Sequence, residues 1–143
     1  MDFDRALITK LCETGDMPSL QKERFKAEEI LEPVVQEVYR WVDNCYTGTG
    51  EVPSLELLQG EFPDFVPEVT TDAIPLLVDQ IRSKRLYGEL MLASREARTR
   101  ARDNPREALI WLQERTAELF DQFTDDQGDE VDMAEAASSV VAS

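Results

Sequence analysis

Apolar side chains recur at helical spacing along most of the chain, and the clearest pattern lies between Thr71 and Phe123. Two amphipathic helices are predicted there, joined by a tight turn at Asp103-Asn104. The first starts near Asp72, with Pro75 in its first turn, and runs to about Arg102, which at 1.5 Å per residue spans roughly 45 Å. Its later seam is Leu86, Leu90, Ala93, Ala97 and Ala101, at steps of four, three, four and four, and its alanines let a partner helix approach closely. Asn104, Pro105 and Glu107 fall at the N-cap, N1 and N3 positions of the second helix, the pattern of a capping box with Asn in place of Ser or Thr. That helix carries Ala108, Leu109, Leu112, Thr116, Leu119, Phe120 and Phe123 on a stripe close to heptad spacing.

The first half reads as shorter helices. Phe3, Leu7, Ile8 and Leu11 make one face over residues 3–14, and Gly15 is a natural stop. Ser19 suits the cap of a short helix ending near Phe25. Pro33 opens a third helix with Val34, Val35, Val38, Trp41, Val42 and Cys45 at spacings of three and four; it is expected to end near Tyr46, because Thr47-Gly48-Thr49-Gly50 reads as a loop. Ser54 caps a short helix that Gly60 ends, and Pro63 and Pro67 then forbid an uninterrupted helix, leaving Phe62 and Phe65 to tack a connector onto the core. No useful strand alternation occurs. The predicted fold is all-α: a helical globule over 1–70, a long antiparallel helical hairpin over 71–123 and an acidic linker over 124–143. The stretch from Thr124 to Ser143 holds six acidic residues and no basic one, which predicts a flexible segment.

Charge and composition narrow the chemistry. The 143 residues include 15 basic and 30 acidic side chains, a net charge of −15, which disfavours direct binding to a nucleic-acid backbone and favours protein partners. No apolar run is long enough for a membrane span and the N-terminus lacks the apolar core of a signal peptide, so a cytoplasmic setting is expected, with Cys12 and Cys45 as reduced thiols. The chain has no histidine, which removes the commonest general base and metal ligand, and it has no phosphate-loop motif. Gly48 and Gly50 form a GxG, but no strand precedes it. Glu28, Glu29 and Glu32 read as carboxylates favoured near a helix start rather than as a divalent-ion site. Arg82, Lys84, Arg85, Arg95, Arg98, Arg100, Arg102 and Arg106 read as a solvated face; the alternative is a cationic patch for an acidic partner. No catalytic, cofactor-binding or metal-ligating residue is expected. Tyr87 and Trp111 are aromatic anchors either for the hairpin itself or for a second chain.

The segments LITKLCETGD, EPVVQEVYRWVDNCY, EVPSLELLQGEFPDF, AIPLLVDQIRSKRLYGELMLASREA and NPREALIWLQERTAEL, in that order and spacing, resemble the N-terminal domain of DnaB-type replicative DNA helicases in a diverged, phage-like form. The resemblance covers about residues 3 to 123. It implies a globule followed by a hairpin, hairpins that pair between subunits, and three such pairs in the collar of a hexameric ring. It implies primase or helicase-loader partners during DNA replication, in a bacterial host cytoplasm. It also implies that ATP and magnesium belong to an ATPase domain beyond the linker, so that this chain is not itself an enzyme. The pairing surface is expected to use Leu86, Tyr87, Leu90, Ala93, Ala97, Leu109, Trp111, Leu112 and Leu119. The helicase-binding domain of primases is similar in fold, and a domain of that kind, or a free-standing helicase adaptor or loader, is the alternative.

Overall fold

A computed structural model describes residues 1–125, and among them every regular element is helical. The helices are α1 (Phe3–Thr14), α2 (Met17–Lys22), α3 (Pro33–Thr49), α4 (Leu55–Glu61), α5 (Ile74–Asp103) and α6 (Pro105–Asp125), with a 3-10 turn at Ala27–Glu29. They form two compact units, Met1–Arg85 and a second that begins at Leu86, so the division falls inside α5 and not at residue 71. The spacing of Ile74, Leu77, Val78 and Ile81 explains this: all four are buried in the core of the first unit. The acidic segment from residue 126 onward lies outside the described residues; Thr124 and Asp125, read from sequence as its start, close α6.

Local chemistry sets the ends of the elements in the first unit. Asp2 caps α1 by accepting the Arg5 N–H, and Gly15, at φ 69°, closes it by donating to the Leu11 carbonyl. Asp16, not Ser19, caps α2: it accepts from Ser19 N at 3.2 Å and from Ser19 Oγ at 2.6 Å. That helix stops at Lys22, short of Phe25, because Arg24 turns the chain at φ 54°. Phe25 is then buried with its ring edge-on to Tyr39 at 5.5 Å. Helix α3 runs through Thr47-Gly48-Thr49, which sequence alone assigned to a loop. The Thr47 and Thr49 hydroxyls donate to the Asp43 and Cys45 carbonyls at 2.9 and 2.8 Å, and only Gly50, at φ 80°, leaves helical geometry. Ser54 caps α4 as expected, although that helix passes Gly60 and ends at Glu61. Phe65 is buried and Phe62 packs edge-on against Trp41 at 5.7 Å, which ties the proline-broken connector down.

One polar cluster lies inside this unit. Arg82 on α5 is buried, and its Nε donates to Glu29 Oε1 at 2.7 Å while Nη2 reaches Oε2 at 3.3 Å. The same Nη2 donates to the Glu23 carbonyl at 2.6 Å, and Glu29 Oε2 also accepts the Lys26 N–H at 2.8 Å. Sequence reading placed Arg82 on a solvated face and Glu29 at an open helix start; both placements are corrected here. A charge at this depth is tolerated only when paired and hydrogen-bonded. Gln36 adds two bonds, from Nε2 to the Ala27 and Ile30 carbonyls at 3.1 Å each, which fasten the same turn to α3.

Removing one member of the buried pair leaves the other charged and unpaired. Glu29→Ala is expected to destabilise the chain by about 3–5 kcal/mol in urea unfolding followed by circular dichroism. Pairing Glu29→Met with Arg82→Met should recover only part of that loss, because the Glu23 carbonyl and the Lys26 N–H then lose their side-chain partners; a single mutant close to wild type would show that the pair contributes little.

Asp4 gives a pH signature. Burial, then the Asp2 carboxylate, push its carboxyl up to about 6; Lys84 and Arg85 oppose the shift and Glu32 adds to it. The folded state therefore holds a proton that the unfolded chain releases near 3.8, and Asp4 weakens the fold increasingly as pH rises through 6. Asp4→Asn should raise stability at pH 7 by on the order of 1 kcal/mol, a figure discounted for partial solvent screening. Its advantage over wild type should vanish below about pH 4, read from urea midpoints at the two pH values.

Candidate protein interface

The second unit is a helical hairpin built from the later part of α5 and from α6. Asn104 caps α6 by accepting the Glu107 N–H on Oδ1 at 3.2 Å, as its position before Pro105 predicts. The pairing is antiparallel: Glu89 meets Arg115 and Arg100 meets Trp111. Ala93, Ala108 and Leu119 are its buried apolar residues, and Leu86, Ala97, Ala101, Trp111 and Leu112 are half-buried beside them. Two of the three buried side chains are single methyl groups, so the seam is narrow.

The two broad faces of this hairpin differ in chemistry. Each residue of an α-helix advances about 100° around its axis. Measured from Ala93 on α5 and Ala108 on α6, one sense of rotation leads to Glu89, Glu96, Arg100, Trp111, Arg115 and Glu118. Two contacts among them cross between the helices, Glu89 with Arg115 and Arg100 with Trp111, while Glu96 and Glu118 pair within their own helices. Arg115 Nη2 reaches Glu89 Oε2 at 2.6 Å and its Nη1 reaches Glu118 Oε2 at 3.1 Å. The Arg100 guanidinium sits 4.8 Å from the centre of the Trp111 ring, with Glu96 at 3.9 Å.

The opposite sense leads to Tyr87, Leu90 and Met91 on α5 and to Leu109 and Phe120 on α6. All five are exposed, Leu109 at 66% and Phe120 at 69%. Because the helices run antiparallel, the two sets lie on the same side of the hairpin. Leu109 and Phe120 are eleven residues apart, close to three full turns, and so share one face of α6. Leu92 and Ile110 are also exposed; the same rotation puts Leu92 on the ion-paired side and Ile110 near the back of α6.

The nine residues singled out from sequence thus separate into three groups. Ala93 and Leu119 are buried inside the hairpin, and Leu86, Ala97 and Leu112 line its edge. Tyr87, Leu90 and Leu109 stand on the exposed apolar face. Trp111 belongs to the opposite, ion-paired face, under Arg100. The heptad-like stripe on α6 missed this division, because a period near 3.5 fits a seam and its flank equally well. Phe120, assigned to the stripe, and Met91 are the members of the exposed face that sequence reading did not single out.

Elsewhere the chemistry is sparse. Cys12 and Cys45 are free thiols, both half-buried, and burial with the neighbouring Cys45 pushes the Cys12 thiol up to about 12, far from a nucleophile at neutral pH. Among the described residues no three acidic or cysteine side chains are grouped to hold a metal ion, and no helix is long and apolar enough to cross a membrane. Neither a family model, nor a curated protein, nor a solved structure matches this chain.

The division of the hairpin into seam and outer face has an energetic consequence. Leu119→Ala should cost about 2–5 kcal/mol by opening the narrow seam, whereas Leu109→Ala should change stability by less than about 0.5 kcal/mol. Urea unfolding of the two variants checks this, and equal losses at both sites would show that Leu109 is packed.

Proposed function

We propose that this chain is a non-catalytic assembly domain, the N-terminal scaffold of a hexameric replicative DNA helicase of the DnaB type. In this reading its hairpins pair between subunits, three pairs build a collar, and primase or a helicase loader docks on the result. ATP, magnesium and strand separation belong to an ATPase domain outside this chain. The observation that carries the reading is the one-sided apolar face of the hairpin. Tyr87, Leu90, Met91 and Phe120 stand exposed on one side, with Leu109 about three turns away along α6, while the cross-helix ion pair lies on the other side. Exposed apolar side chains gathered on one face favour a protein contact over solvent. The all-helical fold and the separate hairpin unit agree with the order of segments that suggested the family. The absence of histidine from the sequence and the high Cys12 pKa disfavour imidazole and thiolate chemistry.

Sedimentation of the purified chain tests the pairing. Reversible association is expected at micromolar concentration, consistent with an interface of about 800 Å² per partner. Leu109→Ser with Phe120→Ser should return the chain to a monomer, and Leu92→Ser should leave association unchanged. A monomer at all concentrations, or association indifferent to Leu109 and Phe120, would contradict pairing through this face. The helicase assignment has its own test in the codons that follow Ser143: a phosphate-loop motif in frame supports it, and an immediate stop codon removes it while leaving the pairing face intact.

A further inference from the structure

A second feature belongs to the first unit. Between the start of α1, the start of α3 and the connector after α4 lies a cleft of about 390 Å³. Val35, Val38 and Phe65 are its buried apolar lining, and Val34 and Val66 remain 64% and 59% exposed beside them. Four carboxylates, Asp2, Glu32, Glu61 and Asp64, also line the cleft, and those of Glu32, Glu61 and Asp64 are the ones that Arg5 does not engage. Arg5 is the one cation of the lining, and it is turned onto Asp2, with Nε 2.9 Å from Oδ2.

We propose that this cleft is a docking groove for a short amphipathic segment of another protein, one whose apolar ridge fills the valine strip while flanking lysines or arginines meet the carboxylates of Glu32, Glu61 and Asp64. Large exposed apolar side chains beside charge of one sign discriminate by the sign of the partner, because a like-charged segment is repelled where an opposite one is drawn in. Residues 126–143, with five acidic side chains and no basic one, have the wrong charge to fill this cleft. The inference does not depend on the helicase reading, and it uses none of the hairpin residues.

The test uses the full chain and a labelled peptide of about 18 residues, made of leucines at helical i, i+3, i+4, i+7 spacing and lysines elsewhere. Fluorescence anisotropy at about 150 mM salt, where long-range attraction to an acidic protein is largely screened, reads its binding. Saturable binding is expected, weakened at least about tenfold by Val34→Ser with Val66→Ser, since both valines lose the contact with the apolar ridge. Glu61→Lys with Asp64→Lys should weaken it similarly, and the peptide with glutamate in place of every lysine should not bind. Circular dichroism confirms that the variants, all at exposed positions, keep the fold. Leu109→Ser with Phe120→Ser should bind the peptide as wild type does. The proposal is overturned by absence of saturable binding, by binding that survives loss of both valines (attraction to net charge alone), or by binding lost only in the hairpin variant.

Discussion

The ion pair between Arg82 and Glu29 is the contact on which the first unit turns. It joins the early part of α5 to the irregular stretch between α2 and α3, two segments 53 residues apart in sequence. That stretch contains little regular structure, only a 3-10 turn and a left-handed Arg24, so its backbone groups need partners from elsewhere. Arg82 supplies one to the Glu23 carbonyl, Glu29 supplies one to the Lys26 N–H, and Gln36 satisfies two more carbonyls. An apolar pair of the same volume would fill the space and leave those groups unsatisfied. These bonds hold the stretch in one geometry against α5. Ile74, Leu77, Val78 and Ile81 then complete the core with the face of α5 that this geometry presents.

The hairpin is organised on the opposite principle. Its seam is made mostly of alanine, so burial inside it is modest, and much of the lateral definition comes from half-exposed polar contacts around Arg115 and Arg100. Exposed ion pairs of this kind are individually weak. A hairpin with a narrow interior and large apolar side chains outside it gains most from association, because the area still available for burial lies on its surface. The same reasoning separates the two candidate surfaces. The hairpin face lacks a surrounding ring of one charge and suits a like surface, whereas the cleft beside α1 carries an acidic lining and suits a basic partner.

Much of this was legible in the residues. The helical class, the cap at Asn104, the long helix through Pro75 and the antiparallel hairpin follow from spacing and turn chemistry, which are local. What was not legible depended on distant partners. Glu29 and Arg82 each look like surface charges until the fold brings them together. Asp16 and Ser19 are both good caps one turn apart, and sequence could not rank them. The Thr-Gly-Thr-Gly run satisfies a loop pattern, yet the threonine hydroxyls bond back to their own helix and carry it three residues further. Trp111 was open between hairpin and interface because its assignment depends on where Arg100 lies. The cleft escaped sequence reading altogether: Asp2, Glu32 and the pair Glu61 and Asp64 come from three separate segments, each unremarkable alone.

The central claim is that the face bearing Tyr87, Leu90, Leu109 and Phe120 exists to be covered by a protein surface. Hydrogen–deuterium exchange of the chain, compared across a hundredfold range of its own concentration, addresses this most directly, since it locates protection residue by residue. The account requires protection to rise with concentration in α6 and in α5 beyond Leu86, with α1 and α3 unchanged. Exchange in the hairpin that is independent of concentration, or protection gained in the first unit instead, would contradict it.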